Sequence, residues 1–313
     1  MSFYGNLCFM LPSQKKLTVK APAKVNLHLE VLDKKPDGFH NLDSIFLALD
    51  FGDTLHFELL EGEKTGEITM SGLVFDIPVE KNIVFRSLRL FRERTGFEEK
   101  LDIMVEKRIP AGGGLGGGSS DAAAALLALN RLAGFPLSRG ALLDMAAALG
   151  SDVPFFIYRT AAARVTGRGE RIEPFQAPRL FFVLVNPGFP SGTAAAFRLL
   201  DEYRENAKGL NPQARRQGGR MEVTSDPSQW SFGNDFLPVF EDRERSVYNG
   251  IICRLRELGA GFAGLSGAGS TCFGVFGESE PAQRAAQALR GMWDFVEVCG
   301  TWGGETGLTA ENG

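Results

Sequence analysis

The sequence contains few of the residue types that build metal centres, disulfide frameworks and histidine-based catalytic sites. Its 313 residues include four cysteines and three histidines. Cys8, Cys253, Cys272 and Cys299 are too sparse for a disulfide framework and lack the paired spacing of a zinc site. We therefore expect reduced thiols, a cytoplasmic location and no metal site made of protein side chains alone.

Long apolar runs and a surplus of positive charge are also absent. No stretch reaches the roughly 18 consecutive apolar residues of a membrane-spanning helix, so no membrane partner is expected. The net charge of −4 argues against a nucleic-acid-binding surface. Residues 1–16 lack the pattern of a signal peptide, and we interpret them as a disordered extension or a stretch ahead of the true start. The sequence is compatible with a monomer or a homodimer.

Glycine, in contrast, is abundant, with 38 residues, and the most informative motif is built from it. Residues 110–121 read Pro-Ala-Gly-Gly-Gly-Leu-Gly-Gly-Gly-Ser-Ser-Asp. Alternating apolar residues before the motif predict a β-strand over 101–106. The alanine-rich residues after it predict a helix that is capped near Ser119 and ends before Gly134. Because bare amides at a helix N-terminus attract anions, the motif predicts a phosphate-binding loop.

Two familiar nucleotide-binding patterns fit this loop poorly. Gly113 and Gly118 have the Walker A spacing, but Ser119 occupies the position of the required lysine. A Gly-x-Gly-x-x-Gly dinucleotide pattern is present, yet so glycine-rich a run contains it almost by chance. The residues that follow, 138–150, predict a second helix instead of a strand that ends in an acidic residue. A flexible linker is disfavoured because the loop continues directly into a helix.

The chain is long enough for two domains and alternates predicted strands with predicted helices. Strands are predicted over 17–20, 25–32, 44–49, 54–60, 101–106, 180–185 and 295–299, with a strand, turn and strand over 263–276. Helices are predicted over 82–95, 119–132, 138–150, 241–258 and 281–291. The pattern loosens around residues 161–178, so we expect an N-terminal domain over 1–168 and a C-terminal domain over 169–313. Gly52-Asp53 predicts a turn, and residues 209–230 predict a long surface loop.

Three segments in this order resemble the GHMP kinases: residues 21–27 (Ala-Pro-Ala-Lys-Val-Asn-Leu), the glycine loop, and residues 264–270 (Gly-Leu-Ser-Gly-Ala-Gly-Ser). Three further segments, 36–40, 150–155 and 231–236, resemble the branch of that family whose substrate is a cytidine diphospho-methylerythritol. The resemblance covers nearly the whole chain except the N-terminal extension and the 209–230 loop. It implies an α/β (α+β) fold with two domains. The first would be similar to ribosomal protein S5 domain 2 and the second would be ferredoxin-like, with the active site between them.

The resemblance implies an enzyme that moves the γ-phosphate of ATP to an alcohol, the C2 hydroxyl of the methylerythritol moiety, with ATP and Mg²⁺ as cofactors. A tertiary alcohol is a poor nucleophile, so its proton needs an acceptor. The resemblance makes Asp152 that general base and places Lys24 beside the reacting hydroxyl. From local sequence alone, Asp152 is slightly better explained as a helix N-cap and Lys24 as a surface charge.

The resemblance also implies the residues that bind ATP. Its phosphates are assigned to the amides and hydroxyls of the loop, namely Pro110, Ala111, Gly112, Gly113, Gly114, Leu115, Gly116, Gly117, Gly118, Ser119 and Ser120. Asn82 and Lys107 match positions near the adenosine, with a helix N-cap and a strand-end surface charge as nearly equal alternatives. We expect Mg²⁺ to be carried mainly by the nucleotide and water, and leave open whether a serine of the loop is a further ligand.

The cytidine end of the substrate is assigned to Asn26, Phe39, His40, Thr193 and Phe197. Asn26 and His40 are the candidate hydrogen-bond partners, and both can equally be satisfied polar groups of the fold. Phe197 is a candidate face of a cytosine sandwich, with a core position as the alternative. Phe39 stands where the family usually has tyrosine, so its ring can stack on a base but cannot donate a hydrogen bond.

Three other functions share part of this pattern. A mevalonate- or homoserine-type GHMP kinase would share the loop but not residues 37–40. A non-catalytic nucleotide-binding protein on the same fold would be expected to lack Lys24 or Asp152, and both are present. A nicotinamide-dependent oxidoreductase is supported only by the weak dinucleotide pattern.

Overall fold

The computed structural model describes residues 15–61, 67–72, 78–206, 222–303 and 308–310. Residues 1–14 of the predicted N-terminal extension, including Cys8, and residues 209–221 of the predicted 209–230 loop lie outside these ranges, whereas Lys16 already begins the first strand. The other three cysteines are unpaired thiols, and burial raises the pKa of Cys272 and Cys299. Within these ranges, no helix combines the length and the apolar character needed to cross a membrane.

The strands of the described chain form two sheets. In chain order they are β1 (Lys16–Lys34), β2 (His40–Leu59), β3 (Ile68–Gly72), β4 (Leu101–Lys107), β5 (Ala162–Gly167), β6 (Arg171–Phe175), β7 (Phe181–Asn186), β8 (Phe262–Leu265), β9 (Cys272–Phe276), β10 (Phe295–Gly300) and β11 (Leu308–Ala310). The helices are α1 (Ile83–Thr95), α2 (Gly117–Leu132), α3 (Arg139–Leu149), α4 (Val153–Tyr158), α5 (Thr193–Asn206), α6 (Asp242–Glu257) and α7 (Ser279–Leu289).

The first sheet has the order β11-β1-β2-β4-β3, with β5 and β6 beside the first half of β2. Two pairs of short strands in the sequence prediction are in fact the single long strands β1 and β2. The predicted turn at Gly52-Asp53 is wrong, since both residues lie within β2 opposite a register shift between Pro22 and Lys24. A Cβ at Gly52 would lie 2.2 Å from the carbonyl oxygen of Ala21. Glycine permits this close approach at a bulge, which locally has the same composition as a turn.

Helices α1 to α4 cover the first sheet. Helix α2 is buried on nearly all sides, and its run of alanines lets β1, α1, α3 and α4 pack closely around it. Asn82 and Ser138 cap α1 and α3 as local sequence predicts, because each accepts a hydrogen bond from a backbone N–H of the first turn. The predicted cap near Ser119 is wrong. Helix α2 starts at Gly117, after an N-cap Gly116 in the left-handed region.

The second sheet is antiparallel, in the order β10-β7-β9-β8. Helices α5 and α6 lie between β7 and β8 in the chain, and α7 connects β9 to β10, which gives the predicted ferredoxin-like arrangement. The hairpin β5–β6 belongs to the first sheet, and its turn contains the expected boundary at residues 168/169. The two sheets therefore separate later, between Phe175 and Phe181. After β10 the chain returns to the first sheet, where β11 pairs with β1.

Candidate active site

The three segments that suggested a nucleotide kinase meet where the two sheets adjoin. The backbone N–H of Lys24 donates to the carbonyl of Leu115 at 2.9 Å. The hydroxyl of Ser266 donates to the carbonyl of Gly114 at 2.9 Å and accepts the backbone N–H of Asn26 at 3.3 Å. The start of β1 and the turn between β8 and β9 therefore hold the glycine loop from two sides.

The glycines of the loop permit this close packing. A Cβ at Gly114, whose φ is +75°, would lie 2.1 Å from the carbonyl oxygen of Ser266. A Cβ at Gly116, whose φ is +71°, would lie 3.0 Å from Cγ of Lys24. The loop then enters α2 directly, so the free amides of that helix N-terminus lie next to it. Backbone amides and the positive end of a helix dipole converge here, which is an arrangement suited to phosphate.

Lys24 and Asp152 are 128 positions apart in sequence and lie side by side in the structure. The Lys24 ammonium is 3.3 Å from a carboxylate oxygen of Asp152 and 4.6 Å from the ring centroid of Phe46. Lys24 is 3% exposed, whereas the Asp152 side chain is 29% exposed. Asp152 stands at the N-cap position of α4, but its side chain makes no capping hydrogen bond. The carboxylate therefore faces the ammonium and is accessible from outside.

Asn26, which was assigned to the cytidine end, lies next to this pair. Its side-chain oxygen accepts a hydrogen bond from the Lys24 ammonium at 2.6 Å, and its side-chain N–H donates to the hydroxyl of Ser44 at 3.0 Å. Ser44 in turn donates to the carbonyl of His28. Both ends of the Asn26 amide are thus used inside the protein, where they orient Lys24.

Asn82 and Lys107, the two residues expected near the adenosine, also have internal partners. Asn82 caps α1 and contacts the sulfur of Met70 at 3.3 Å. Lys107 is 9% exposed and bonds to the carboxylates of Asp53 and Asp121. Burial alone would lower the pKa of Lys107, but the two carboxylates raise it by more than burial lowers it. The pKa of Lys107 therefore lies above its ordinary value. Burial raises the pKa of Asp121 to about 7, against the opposing effect of Lys107, because two buried carboxyl groups share one ammonium.

Of the other residues assigned to the cytidine end, His40 is buried and Phe197 is partly buried, whereas Phe39 and Thr193 are exposed. The Nε2–H of His40 donates to a carboxylate oxygen of Asp201 at 2.8 Å, and the His40 ring stacks on Phe197 with ring centroids 5.2 Å apart. Phe39 is 54% exposed, with the guanidinium of Arg168 3.8 Å from its ring centroid. Thr193, the first residue of α5, is also exposed. The assigned rings therefore lie around the β1–β2 turn and α5.

Comparison with known proteins assigns the family. The models for the GHMP kinases N terminal domain and GHMP kinases C terminal match residues 82–160 and 242–294. The 4-diphosphocytidyl-2-C-methyl-D-erythritol kinase of Ralstonia pickettii (strain 12J) is 35% identical over 277 residues, 88% of this chain and 90% of that protein. The kinase of the same name from Xanthomonas axonopodis pv. citri (strain 306) is 36% identical over 87% of this chain and 86% of that protein. The chain belongs to the 4-diphosphocytidyl-2-C-methyl-D-erythritol kinases.

Solved structures agree with this assignment. A crystal structure of 4-(cytidine 5'-diphospho)-2C-methyl-D-erythritol kinase matches with a TM-score of 0.74 at 30% identity, over 90% of this chain and 98% of that one. A homoserine kinase from Cytophaga hutchinsonii, at 20% identity and a TM-score of 0.63, covers 93% of this chain and 95% of that one and shares the fold. The predicted GHMP family and two-domain α/β (α+β) fold are confirmed. This kinase is a phosphotransferase that uses ATP and acts on a small-molecule alcohol.

Two further residues of this kinase contact the site, and sequence reasoning missed both. Asp201 binds His40 and also the ammonium of Lys34 at 2.6 Å. It lies four residues after Phe197 on α5, a spacing that places both on one helix face and could have identified it. The side-chain N–H groups of Asn234 donate to the carbonyls of Leu265 and Gly267, each at 2.8 Å. Sequence resemblance identified the 231–236 segment, but no local signal in it indicates that the Asn234 side chain binds the turn between β8 and β9.

Proposed function

We propose that this kinase transfers the γ-phosphate of ATP to the C2 hydroxyl of 4-diphosphocytidyl-2-C-methyl-D-erythritol. The reaction is a step of the non-mevalonate route to isoprenoid precursors, and we propose that it takes place in the cytoplasm. The observation that carries the proposal is the Lys24–Asp152 pair beside the glycine loop. A phosphate cradle next to a carboxylate and an ammonium supplies what transfer of a phosphoryl group to an alcohol requires.

In the proposed reaction, Asp152 accepts the proton of the C2 hydroxyl. The hydroxyl oxygen forms a bond to the γ-phosphorus while the bond from that phosphorus to the bridging oxygen of ADP breaks. Asp152 suits this role because its carboxylate is partly exposed and makes no capping hydrogen bond. Lys24 balances the charge that develops on the alcohol oxygen, and Asn26 and the Phe46 ring hold its ammonium in place.

The loop is proposed to hold the ATP phosphates through the amides of residues 112–118 and the two serines. The Ser120 hydroxyl supports this, since it is buried and has no hydrogen-bond partner among the described residues. A phosphate oxygen would satisfy it. The polar side-chain atoms of Asn82 and Lys107 have partners within the protein. We therefore propose that these two residues contact the adenosine through their backbone and aliphatic atoms.

Magnesium is proposed as the second cofactor, and when bound it neutralises charge on the phosphates. In the described part of the chain, no group of three or more His, Cys, Asp or Glu side chains could hold an ion alone. We assign the ion mainly to the nucleotide and water. Ser119, half-buried in the first turn of α2, is the hydroxyl that we assign to it.

The cytidine end is proposed to bind beside the β1–β2 turn and α5. Phe39 offers an exposed ring for stacking, and His40 offers Nδ1, while its Nε2 is fixed by Asp201. Phe197 and Thr193 lie on the same helix as Asp201. Because His40 already stacks on Phe197, a base inserted between these two rings would have to separate them.

A coupled assay that measures ADP release tests the proposed function. We expect ADP formation that depends on 4-diphosphocytidyl-2-C-methyl-D-erythritol and Mg²⁺, with no change in nicotinamide absorbance. Mevalonate and homoserine, the substrates of the alternative GHMP kinases, serve as matched controls and should give only background. Hydrolysis that does not depend on the cytidine substrate, or turnover of a control instead, would contradict the substrate assignment.

A further inference from the structure

Asp53, Lys107 and Asp121 form a buried charged triad beneath the glycine loop. Asp53 on β2 is 0% exposed, and both other residues are also buried. The Lys107 ammonium bonds to a carboxylate oxygen of Asp53 and, at 2.5 Å, to one of Asp121. The second oxygen of Asp121 is buried without a hydrogen-bond partner in the described part of the chain. Three separate elements, β2, β4 and α2, thus contribute one charged side chain each.

The triad contacts both ends of the loop. On the side where the chain enters, the second oxygen of Asp53 accepts the backbone N–H groups of Arg108 at 2.5 Å and Ile109 at 2.9 Å. On the side where the chain leaves, Lys107 is bonded to Asp121 in the second turn of α2. A Cβ at Gly117, the first residue of α2, would lie 2.9 Å from Ile109 and 3.6 Å from Asp53. The two ends are therefore held against each other.

Stability alone does not account for such a cluster. Removing charges from water is costly, and well-packed apolar residues commonly stabilise a core as well as a buried ion pair does. With both carboxylates ionised, the triad carries one more negative than positive charge beneath a loop suited to anions. The triad provides hydrogen bonds of fixed direction. They hold the backbone amides of Arg108 and Ile109 and the first residues of α2 in place.

We propose that Asp53, Lys107 and Asp121 are positioning residues that keep the glycine loop in the shape that binds ATP. The inference rests on the proposed assignment of the ATP phosphates to this loop. If only a fraction of the molecules have the loop in the shape that binds ATP, the apparent Kd for ATP rises by the inverse of that fraction. The triad would therefore affect ATP binding and have little influence on the cytidine substrate or on the transfer step.

The experiment compares Asp53→Asn and Asp121→Asn with Asp50→Asn. Asp50, an exposed residue of β2, is the control for loss of a carboxylate: it accepts a backbone N–H, that of Gly300 at 2.6 Å, outside the triad. In each triad variant we expect Kd and KM for ATP to rise about tenfold or more. The KM for the cytidine substrate, and kcat at saturating ATP, should stay within about threefold. Asp50→Asn should leave all four constants unchanged.

Calorimetric titration with ATP measures Kd without the acceptor, and thermal unfolding checks the fold. Unchanged Kd and KM for ATP in a folded triad variant would overturn the inference, as would a loss shared equally by ATP, acceptor and kcat. If Asp53→Asn does not fold, Asp121→Asn decides alone, since it leaves the Asp53–Lys107 pair intact. Wild-type protein that binds ATP but does not phosphorylate the cytidine substrate would refute the proposed substrate and leave this inference standing.

Discussion

Replacing Asp152 by asparagine tests the proposed base with the smallest change of shape. The Lys24 ammonium lies 3.3 Å from the Asp152 carboxylate. At that distance the Coulomb attraction is about 5 kcal/mol for an effective dielectric constant of about 20, and desolvation offsets much of it. In the variant, Lys24 keeps its hydrogen bond to Asn26 and its contact with the Phe46 ring. We therefore expect the fold to persist, with a fall in Tm of a few degrees at most.

The expected loss of activity is much larger than this loss of stability. Without a carboxylate to accept the hydroxyl proton, kcat should fall by roughly 10²- to 10⁴-fold, about 3 to 5 kcal/mol in activation free energy. Lys24→Met should cause a loss of similar size. In that variant Asp152 can be hydrated, because its side chain is 29% exposed. The fold should again persist.

The double variant Lys24→Met/Asp152→Asn shows whether the two residues act together in one step or contribute independently. If the ammonium and the carboxylate act on the same proton transfer, the double variant should lose about as much kcat as the worse single variant. The assay is steady-state ADP release at saturating ATP and cytidine substrate, with Asp50→Asn as a control for general damage. Turnover within about tenfold of wild type in either single variant, or losses that multiply in the double variant, would refute the proposed mechanism.

Three other predictions use the contacts of the site. Gly116→Ala, with φ of +71° and a Cβ 3.0 Å from Lys24, should lower kcat about tenfold or more, whereas Gly250→Ala on α6, where no atom lies within 4 Å of the added Cβ, should leave steady-state kinetics unchanged. Because burial raises the pKa of Asp121 to about 7, its stabilising contribution is lost as pH rises from about 4 to about 7. Urea unfolding should therefore show Asp121→Asn gaining stability relative to wild type over the same pH range. Phe197→Ala should raise KM for the cytidine substrate far more than KM for ATP, and an equal or absent effect would assign Phe197 to the core.

Local signals predicted much of the secondary structure. The capped ends of α1 and α3 follow from the side chains of Asn82 and Ser138 within one helical turn. The length of β1 and β2 could not be predicted in this way, since a bulge with Gly52 and Asp53 is locally indistinguishable from a turn. Whether a chain reverses or continues at such a point depends on the partner strand, which sequence pattern does not identify.

The position of charges was the least predictable part of the site. The resemblance brought Lys24 and Asp152 together correctly, as their separation of 3.3 Å shows, although their roles remain proposals. It gave no indication that Lys107 is buried between two carboxylates. Its partner Asp53 lies 54 positions away in a segment predicted as a turn, so the lysine had no visible partner in sequence. A charge that is unpaired in sequence is normally expected at the surface.

The second sheet contributes to the site through the turn between β8 and β9. Asn234 holds the carbonyls of Leu265 and Gly267, and Ser266 between them holds Gly114 and the N–H of Asn26. The turn between β8 and β9 thus braces the phosphate loop and, through Asn26, the ammonium of Lys24. Since these hydrogen bonds join the two sheets, a shift of one sheet relative to the other would move the phosphate loop and Lys24 together. The support of the loop and of Lys24 therefore depends on contacts between the two sheets, which no single motif of the sequence encodes.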